Sequence, residues 1–410
     1  MPSLVPAKRR NRFSHPLLCL ALGALFATQA PAALADARDQ AKRIHDRIAG
    51  VPADASTLSV MEDSIASGDA LDAALLATQS PEFYSVTLRN FSAPWTNRDG
   101  SVFIPLNDYT ATVIGMVRDD VDFRGVLSDD ILYVGSGNGV PAYSTSSNAH
   151  YEALENADLQ AVLTRTTQSS VTGVPAEATA GVITSRAAAK SFFIDGTNRA
   201  MFRFTLMNHL CLDLEQVHDV TRAPDRIRQD VSRSPGGDGR VFLNNCVGCH
   251  SGMDPLSQAY AYYDYQYNVD ADPTGENGSI SYNAAGQTDP VTGTRVVSKY
   301  FNNANNFEPG FQTPDDSWSN YWRAGQNSVL GWDAALPGSG SGAKSMGMEL
   351  AHSQAFAQCQ VEKVFTNVCL RSPADSADRD QVAAMISSFQ ANGYSLRQVF
   401  AESAVYCMGD

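Results

Sequence analysis

The sequence predicts a mainly helical protein that carries an insert of loops and short strands. Apolar residues recur at helical spacing near both ends of the chain, as expected when one face of each helix is buried. Residues from about 268 to 345 are instead rich in Asn, Gly, Asp and Trp, a composition typical of turns and short strands. Because 43% of the 410 residues are hydrophobic, the chain has enough apolar side chains for sizeable cores.

The formal charge of the chain is −14, from 30 basic and 44 acidic residues. An acidic chain is repelled by phosphate backbones and by anionic lipids. The charge therefore argues against non-specific binding to nucleic acid or to a membrane surface.

Residues 1–35 have the layout of a secretory signal peptide. Basic residues precede an apolar run over residues 17–27, and Ala33-Leu34-Ala35 supplies the small residues that a signal peptidase recognises. The run is shorter than the roughly 18 residues of a membrane span, although an uncleaved anchor is the alternative. Cleavage would remove four basic and no acidic residues, which takes the charge from −14 to −18. We expect an exported protein, periplasmic or extracellular, with no membrane span after cleavage.

Residues 36–170 form the predicted N-terminal region, which is helical and mixed. Apolar positions between residues 37 and 79 follow a helical period, and Val51-Pro52 divides this stretch. The run from Tyr109 to Ile114 is rich in β-branched residues and predicts a strand. The Thr- and Ser-rich residues 166–177 predict a linker into the second region.

Residues 171–410 form the predicted second region, which includes the insert at 268–345. Helical spacing predicts helices at residues 187–213, 346–369 and 380–406. The region also contains all six cysteines that remain after signal cleavage.

Five consecutive residues, Cys246-Val247-Gly248-Cys249-His250, match the attachment pattern of a c-type haem. In this pattern two thiols add to the haem vinyl groups, and the histidine ligates the iron. Two intervening residues let one helical turn present both sulfurs to the same edge of the ring. We therefore predict one covalent haem c in a cytochrome c-like domain, with Cys246 and Cys249 as attachment residues and His250 as the proximal iron ligand.

Other roles for this pentapeptide fit the sequence less well. A thioredoxin-like pair would need a βαβ context and has no use for His250, and a zinc site would need a second pair of ligands at similar spacing. A disulfide between Cys246 and Cys249 would be strained. The other cysteines are even in number and allow two disulfides with three possible connectivities, or buried thiols: Cys211, Cys359, Cys369 and Cys407.

Sequence patterns along about two-thirds of the chain accompany the pentapeptide. They are HDRIAGVP at 45–52 with SPEFY at 80–84, GVITSR at 181–186 with GTNR at 196–199, MDPL at 253–256, and the C-terminal stretches 350–359 and 380–397. Together they resemble exported cytochrome c-containing proteins of the planctomycete type. The resemblance implies haem binding and export and leaves the substrate open, because most members of that group have no assigned function. Ser257, the tyrosines of residues 260–267 and the Asn-rich insert depart from the pattern.

The reaction depends on the iron ligand opposite His250. A methionine there raises the reduction potential and favours electron transfer, whereas an open position lets peroxide or oxygen bind. We expect Met348 or Met346, because the preceding Gly- and Ser-rich stretch could fold over the haem. Core packing is the alternative role for each methionine. Further candidates are Met385, Met408, His209, His218 and His352.

Seven arginines lie between residues 199 and 240 of this acidic chain. Guanidinium groups suit haem propionates, so we expect one or two of Arg226, Arg228 and Arg233 to pair with them. A solvated basic face is the alternative. Asp270, Asp272 and Glu276 match a calcium-binding loop only loosely.

These observations predict an exported monohaem c-type cytochrome that transfers single electrons. Its acidic surface would attract a redox partner that has a basic docking patch. Two other classes remain open: a peroxidase-like or other oxidoreductase with an open distal haem site, and a surface or assembly module with a structural haem.

Overall fold

The computed structural model describes residues 35–227, 240, 242–301 and 311–409, and the predicted signal peptide lies outside them except for its last residue. The protein is mainly helical, with 52% helix and a few short strands, which confirms the mainly helical part of the predicted fold class. None of the helices in these described ranges has the length and apolar character of a membrane span.

Three helices open the described chain: α1 (Ala37–Ala49), α2 (Ala55–Ala66) and α3 (Ala70–Ala77). Asp36 and Asp54 cap the first two helices by accepting backbone N–H groups of the first turn. Val51-Pro52 lies between α1 and α2, where the sequence predicts the break. The helical prediction for residues 37–79 is confirmed.

The chain continues through a π-helix (Phe83–Leu88), α4 (Arg89–Ser92) and a 3-10 turn (Ala93–Thr96) to α5 (Asp108–Arg118). The predicted strand over Tyr109–Ile114 is therefore wrong. Every residue from Asp108 to Val117 is buried, so the sequence shows no alternation that could separate a helix from a strand. The side chain of Asn107 accepts the Thr110 N–H and fixes the helix start.

A small antiparallel pair follows, β1 (Leu132–Gly135) with β2 (Leu163–Thr166), and α6 (Ala149–Glu152) and α7 (Leu159–Val162) lie between its strands. The predicted linker at residues 166–177 is wrong, because it includes α8 (Gln168–Thr172) and packs into the protein. Gln168 is fully buried, and its side-chain oxygen accepts the Thr184 hydroxyl at 2.6 Å. Polar residues that satisfy one another inside the fold resemble a linker in composition.

The predicted helix at residues 187–213 is two helices, α9 (Arg186–Phe193) and α10 (Asn198–Leu210), with Gly196 between them. A π-helix (Phe242–Cys246) then leads into α11 (Val247–Ser257). The insert after α11 consists of loops, 3-10 turns (Tyr321–Arg323 and Gly325–Leu330) and short strands, as its composition predicts. The strands form two antiparallel pairs, β3 (Tyr263–Gln266) with β4 (Ser279–Tyr282) and β5 (Ser317–Ser319) with β6 (Ser339–Ser341). β3 precedes residue 268, where the insert is predicted to begin.

Four helices close the chain: α12 (Gly342–Ala351), α13 (Gln354–Cys369), α14 (Ser376–Ala391) and α15 (Leu396–Tyr406). Two disulfides tie α13 to its neighbours. Cys211, just after α10, pairs with Cys359 in α13, and Cys369 at the end of α13 pairs with Cys407 just after α15. The structure thus selects one of the three connectivities that the sequence allows.

One main hydrophobic core includes buried side chains from Ala41 in α1 to Ala404 in α15. Both predicted regions contribute to it. A second, small cluster consists of Ile227 and Val247, with Cys246 packed against them. This small cluster lies at the pentapeptide.

Candidate functional site

Cys246, Cys249 and His250 lie at the junction of the π-helix and α11, and Cys246 is the residue that precedes α11. Residues three and four positions apart share one face of a helix. Cys249 and His250 therefore lie on the same side as Cys246. This is the arrangement that the spacing of the pentapeptide predicts.

Both thiols of the pentapeptide are free and partly buried. The Cys249 sulfur lies 3.4 Å from the Leu214 carbonyl oxygen. Burial raises the pKa of the Cys249 thiol, and the nearby Glu215 carboxylate raises it further. A raised pKa is the opposite of what activates a redox thiol, which needs a stabilised thiolate.

The opposite side of α11 consists of glycines that allow very close packing. Gly248 lies two residues from both Cys246 and His250, and therefore about 200° around the helix from each. A Cβ atom at Gly248 would lie 2.3 Å from His218 Nε2, and one at Gly252 would lie 1.9 Å from Trp322 Nε1. These contacts fix the back of the helix, whereas Cys246, Cys249 and His250 on its other side are only partly buried.

A segment at residues 214–222 runs along α11 and holds its first turns. The Asp219 N–H donates to the Gly248 carbonyl at 3.0 Å, and the Ser251 hydroxyl donates to the Asp219 carbonyl at 3.2 Å. The insert supports this segment from outside, because Asn327 donates to the Val217 carbonyl at 2.8 Å. The first turns of α11 are thus bonded on the side that faces this segment.

His250 has a buried carboxylate next to it, four residues along the helix. The distance from His250 Nδ1 to Asp254 Oδ1 is 3.1 Å, and Asp254 is 2% exposed. Iron-ligating histidines almost always donate their second ring N–H to such a partner, which fixes the tautomer and the ring orientation. With Nδ1 directed to Asp254, Nε2 is the ring nitrogen for a metal.

Arg199 of α10 completes this array with two hydrogen bonds to Asp254. Its Nε donates to Oδ1 at 2.7 Å and its Nη2 donates to Oδ2 at 2.6 Å. Burial disfavours the charged carboxylate, but the charge of Arg199 and the contact with His250 outweigh it and hold the pKa of Asp254 below its usual range. Asp254 is therefore ionised at neutral pH, inside the protein and beside the predicted iron ligand.

The donor set fits a c-type haem. It combines two thiols on one helix face, a histidine in the next position, and a carboxylate that orients this histidine. Within the described residues, no group of three or more His, Cys, Asp or Glu side chains is arranged to hold a metal ion by itself.

Of the three arginines predicted to pair with the propionates, Arg228 and Arg233 lie outside the described residues. Arg226 is half-buried, and the next residue, Ile227, packs with Val247 of the pentapeptide. The structure thus places Arg226 near the motif. Arg199, another member of the same arginine-rich stretch, is engaged by Asp254.

The methionines predicted as distal ligands lie in other surroundings. Met346 is fully buried in the main core. Met348 lines a cavity of about 340 Å³ together with Lys344 and His352, and the described lining of this cavity includes no residue of the pentapeptide. Met385 is buried and accepts a hydrogen bond from Ser403, and Met408 is half-buried near the C-terminus. The distal ligand stays a prediction.

The candidate imidazoles are also engaged elsewhere. His209 is fully buried, with Nε2 2.7 Å from the Tyr109 hydroxyl, and burial lowers its pKa. The Nδ1 atom of His352 lies 2.8 Å from the Met348 carbonyl oxygen. His218 contacts the pentapeptide, but at Gly248 on the back of the helix.

The loosely predicted calcium loop forms a backbone turn. Asp272 accepts N–H groups from Glu276 and Asn277, and Glu276 forms an ion pair with Lys190 at 2.5 Å. These carboxylates are thus used by the protein itself.

Sequence reasoning missed the partnership of His250, Asp254 and Arg199. The spacing of His250 and Asp254 signals a shared helix face, and Asp254 belongs to the MDPL segment. Arg199 precedes Asp254 by 55 positions, so no local pattern indicates that the two side chains meet. Comparison of the chain with protein families, curated proteins and solved structures finds no match.

The buried position of Asp254 predicts a large effect of Arg199 on stability. Arg199→Met leaves a carboxylate buried without its counter-charge, which should lower the free energy of unfolding by about 3–5 kcal/mol. The difference from the unaltered protein should narrow below about pH 4, because the pKa of Asp254 is lowered by folding and acid protonates the carboxylate that needs Arg199. Urea unfolding at several pH values measures both effects.

A matched control lies on the same helix. Arg203 donates two hydrogen bonds to Asp213, at 2.7 and 2.6 Å, but the two side chains are 45% and 32% exposed. Arg203→Met should cost less than about 1 kcal/mol. Equal losses in the two variants would contradict the role given to Arg199.

Proposed function

We propose that this protein is an exported c-type cytochrome with one covalent haem, held by Cys246 and Cys249 with His250 as the proximal iron ligand. The observation that carries the proposal is the combination at the start of α11: two free thiols and a histidine on one helix face, with the histidine Nδ1 directed to a buried, ionised Asp254. These are the residue types that haem c attachment uses, and they support the proposal. Substitution of either cysteine would remove one of the two proposed thioether bonds to the haem.

Attachment needs only the two thiols and the two vinyl groups of haem. Each S–H group adds across a vinyl C=C bond, so that a C–S bond and a C–H bond form and no electrons are gained or lost overall. Both thiols are available for this addition because the other four cysteines of the mature chain pair with each other. The raised pKa of Cys249 speaks against the alternative of a thiol–disulfide redox pair.

The two disulfides support the proposed export, since disulfides persist in oxidising compartments and are rare in the cytosol. Exported haem c proteins receive their covalent haem in such a compartment. We propose a periplasmic or extracellular location on this basis, together with the signal-like pattern of residues 1–35.

One-electron transfer is the proposed reaction. Bound haem iron supplies an Fe(III)/Fe(II) couple, and the protein controls it through His250, through the charges of Asp254 and Arg199, and through Arg226, which we propose to pair with a propionate. The acidic mature chain, at −18 by sequence, would attract a partner with a basic docking patch. The class of partner is thus a redox protein of opposite surface charge.

A peroxidase-like oxidoreductase is the second candidate, and one observation favours it. Met346 packs in the main core, and Met348 lines a cavity with Lys344 and His352 whose described lining includes no residue of the pentapeptide. An open distal site would follow if neither ligates the iron. The third class, a module with a structural haem, has no such observation in its favour.

Haem that survives denaturation tests the attachment residues. The unaltered protein, produced in a host that attaches haem c to exported proteins, should retain one haem per chain in a denaturing gel stained for haem peroxidase activity. Cys246→Ala/Cys249→Ala should retain none, because both thioether bonds are lost. Cys369→Ser/Cys407→Ser, which removes two cysteines of a disulfide, is the matched control and should retain it. Loss in the control and not in the motif variant would refute the assignment.

The absorption spectrum of the oxidised protein separates the two reactions. Electron transfer with a methionine ligand predicts low-spin bands, a methionine–iron charge-transfer band, and no change on addition of cyanide or peroxide. The single variants Met348→Ala and Met346→Ala should identify the ligand, because only substitution of the ligating methionine removes that band. High-spin bands that shift with peroxide in the unaltered protein would instead establish the open-site enzyme.

A further inference from the structure

We propose that Asp254 is a positioning residue that lowers the reduction potential of the haem by making His250 a stronger ligand. The inference rests on the proposed function, because it concerns the iron that His250 would bind. It assigns a role to a carboxylate that the pentapeptide does not include.

The geometry lets Asp254 act directly on His250. Asp254 lies one helical turn after His250, and its Oδ1 atom is 3.1 Å from His250 Nδ1. Its side chain is 1% exposed, so water does not screen the interaction. Since Nδ1 donates its proton to a carboxylate, the ring becomes more electron-rich, and Nε2 becomes a stronger donor to a metal.

The sign of the effect follows from the charges. The ferric iron carries one more positive charge than the ferrous iron, so a fixed carboxylate near the ligand stabilises the ferric state and lowers the potential. Arg199 opposes this effect because its guanidinium bonds the same carboxylate at 2.6–2.7 Å. The carboxylate touches the imidazole directly and the guanidinium acts through it, so the carboxylate dominates.

The same array would also hold the imidazole still. Arg199 fixes both carboxylate oxygens, and Asn198, the preceding residue, donates to the Ser257 carbonyl at 2.8 Å. Two adjacent residues of α10 thus hold the C-terminal half of α11. The orientation of His250 is therefore set by a second helix and not by its own helix alone.

A redox titration of Asp254→Asn tests the inference. The neutral amide oxygen can still accept a hydrogen bond from the Nδ1–H group but carries no charge. The ferric state should therefore become at least tenfold less stable relative to the ferrous state. For a one-electron couple this is an upward shift of the reduction potential of about 59 mV. Asp254→Glu, which restores the carboxylate, should return the potential toward that of the unaltered protein.

Asp213→Asn is the matched control. Asp213 also binds an arginine of α10 through both oxygens and lies close enough to Cys249 to raise its pKa, but its side chain is 32% exposed. Removing this charge should change the equilibrium between the ferric and ferrous states by less than threefold. Asp254→Asn removes the counter-charge of Arg199, and the protein could then fail to fold. In that case the double variant Asp254→Asn/Arg199→Met, which removes both charges, should still raise the reduction potential.

The outcomes separate the two levels of the proposal. The inference alone would be overturned if every variant carried covalent haem and the reduction potential of Asp254→Asn did not rise. A rise no larger than that of Asp213→Asn would overturn it as well. Absence of covalent haem from the unaltered protein would overturn the proposed function and the inference with it.

Discussion

The ion pair between Arg199 and Asp254 is the interaction on which the arrangement of the site depends. It joins the middle of α11 to the first turn of α10, with the carboxylate buried and bonded through both oxygens. At its other end, α10 leads into Cys211, whose disulfide with Cys359 fixes it to α13. The helix that carries the pentapeptide is thus tied through α10 to the C-terminal helices. A buried pair of this kind stabilises the fold only while both partners are present, so each residue constrains the other.

The same pair gives the site its electrostatic character. Because α11 packs through Gly248 and Gly252 against His218 and Trp322, its back is fixed by close contact and its front carries the two thiols and His250. Asp254 is placed where the packed interior meets that front. One carboxylate therefore has two roles: it neutralises Arg199 within the core, and it accepts the ring N–H of the histidine. In our proposal, stability and redox tuning come from the same three side chains.

The pentapeptide, the N-terminal helices and the irregular insert could be predicted from sequence because each depends on residues close together in the chain. The strand predicted at Tyr109–Ile114 failed because α5 is buried on all sides and leaves no periodic signal. The linker predicted at residues 166–177 failed because its polar residues, such as Gln168, find partners inside the fold. The disulfide pairing and the contact of Arg199 with Asp254 join residues far apart in sequence, and no local pattern encodes them. Arg228 and Arg233 lie outside the described residues, and the distal ligand is still a prediction.

The central claim is that the thiols of Cys246 and Cys249 are the covalent attachment points of one haem. The most direct measurement is the intact mass of the purified, exported protein under denaturing and reducing conditions, followed by the mass of the tryptic peptide that spans residues 241–295. The account predicts a mature chain heavier by one haem, with the added mass confined to that peptide. A chain with no added mass, or haem that dissociates on denaturation, would contradict it.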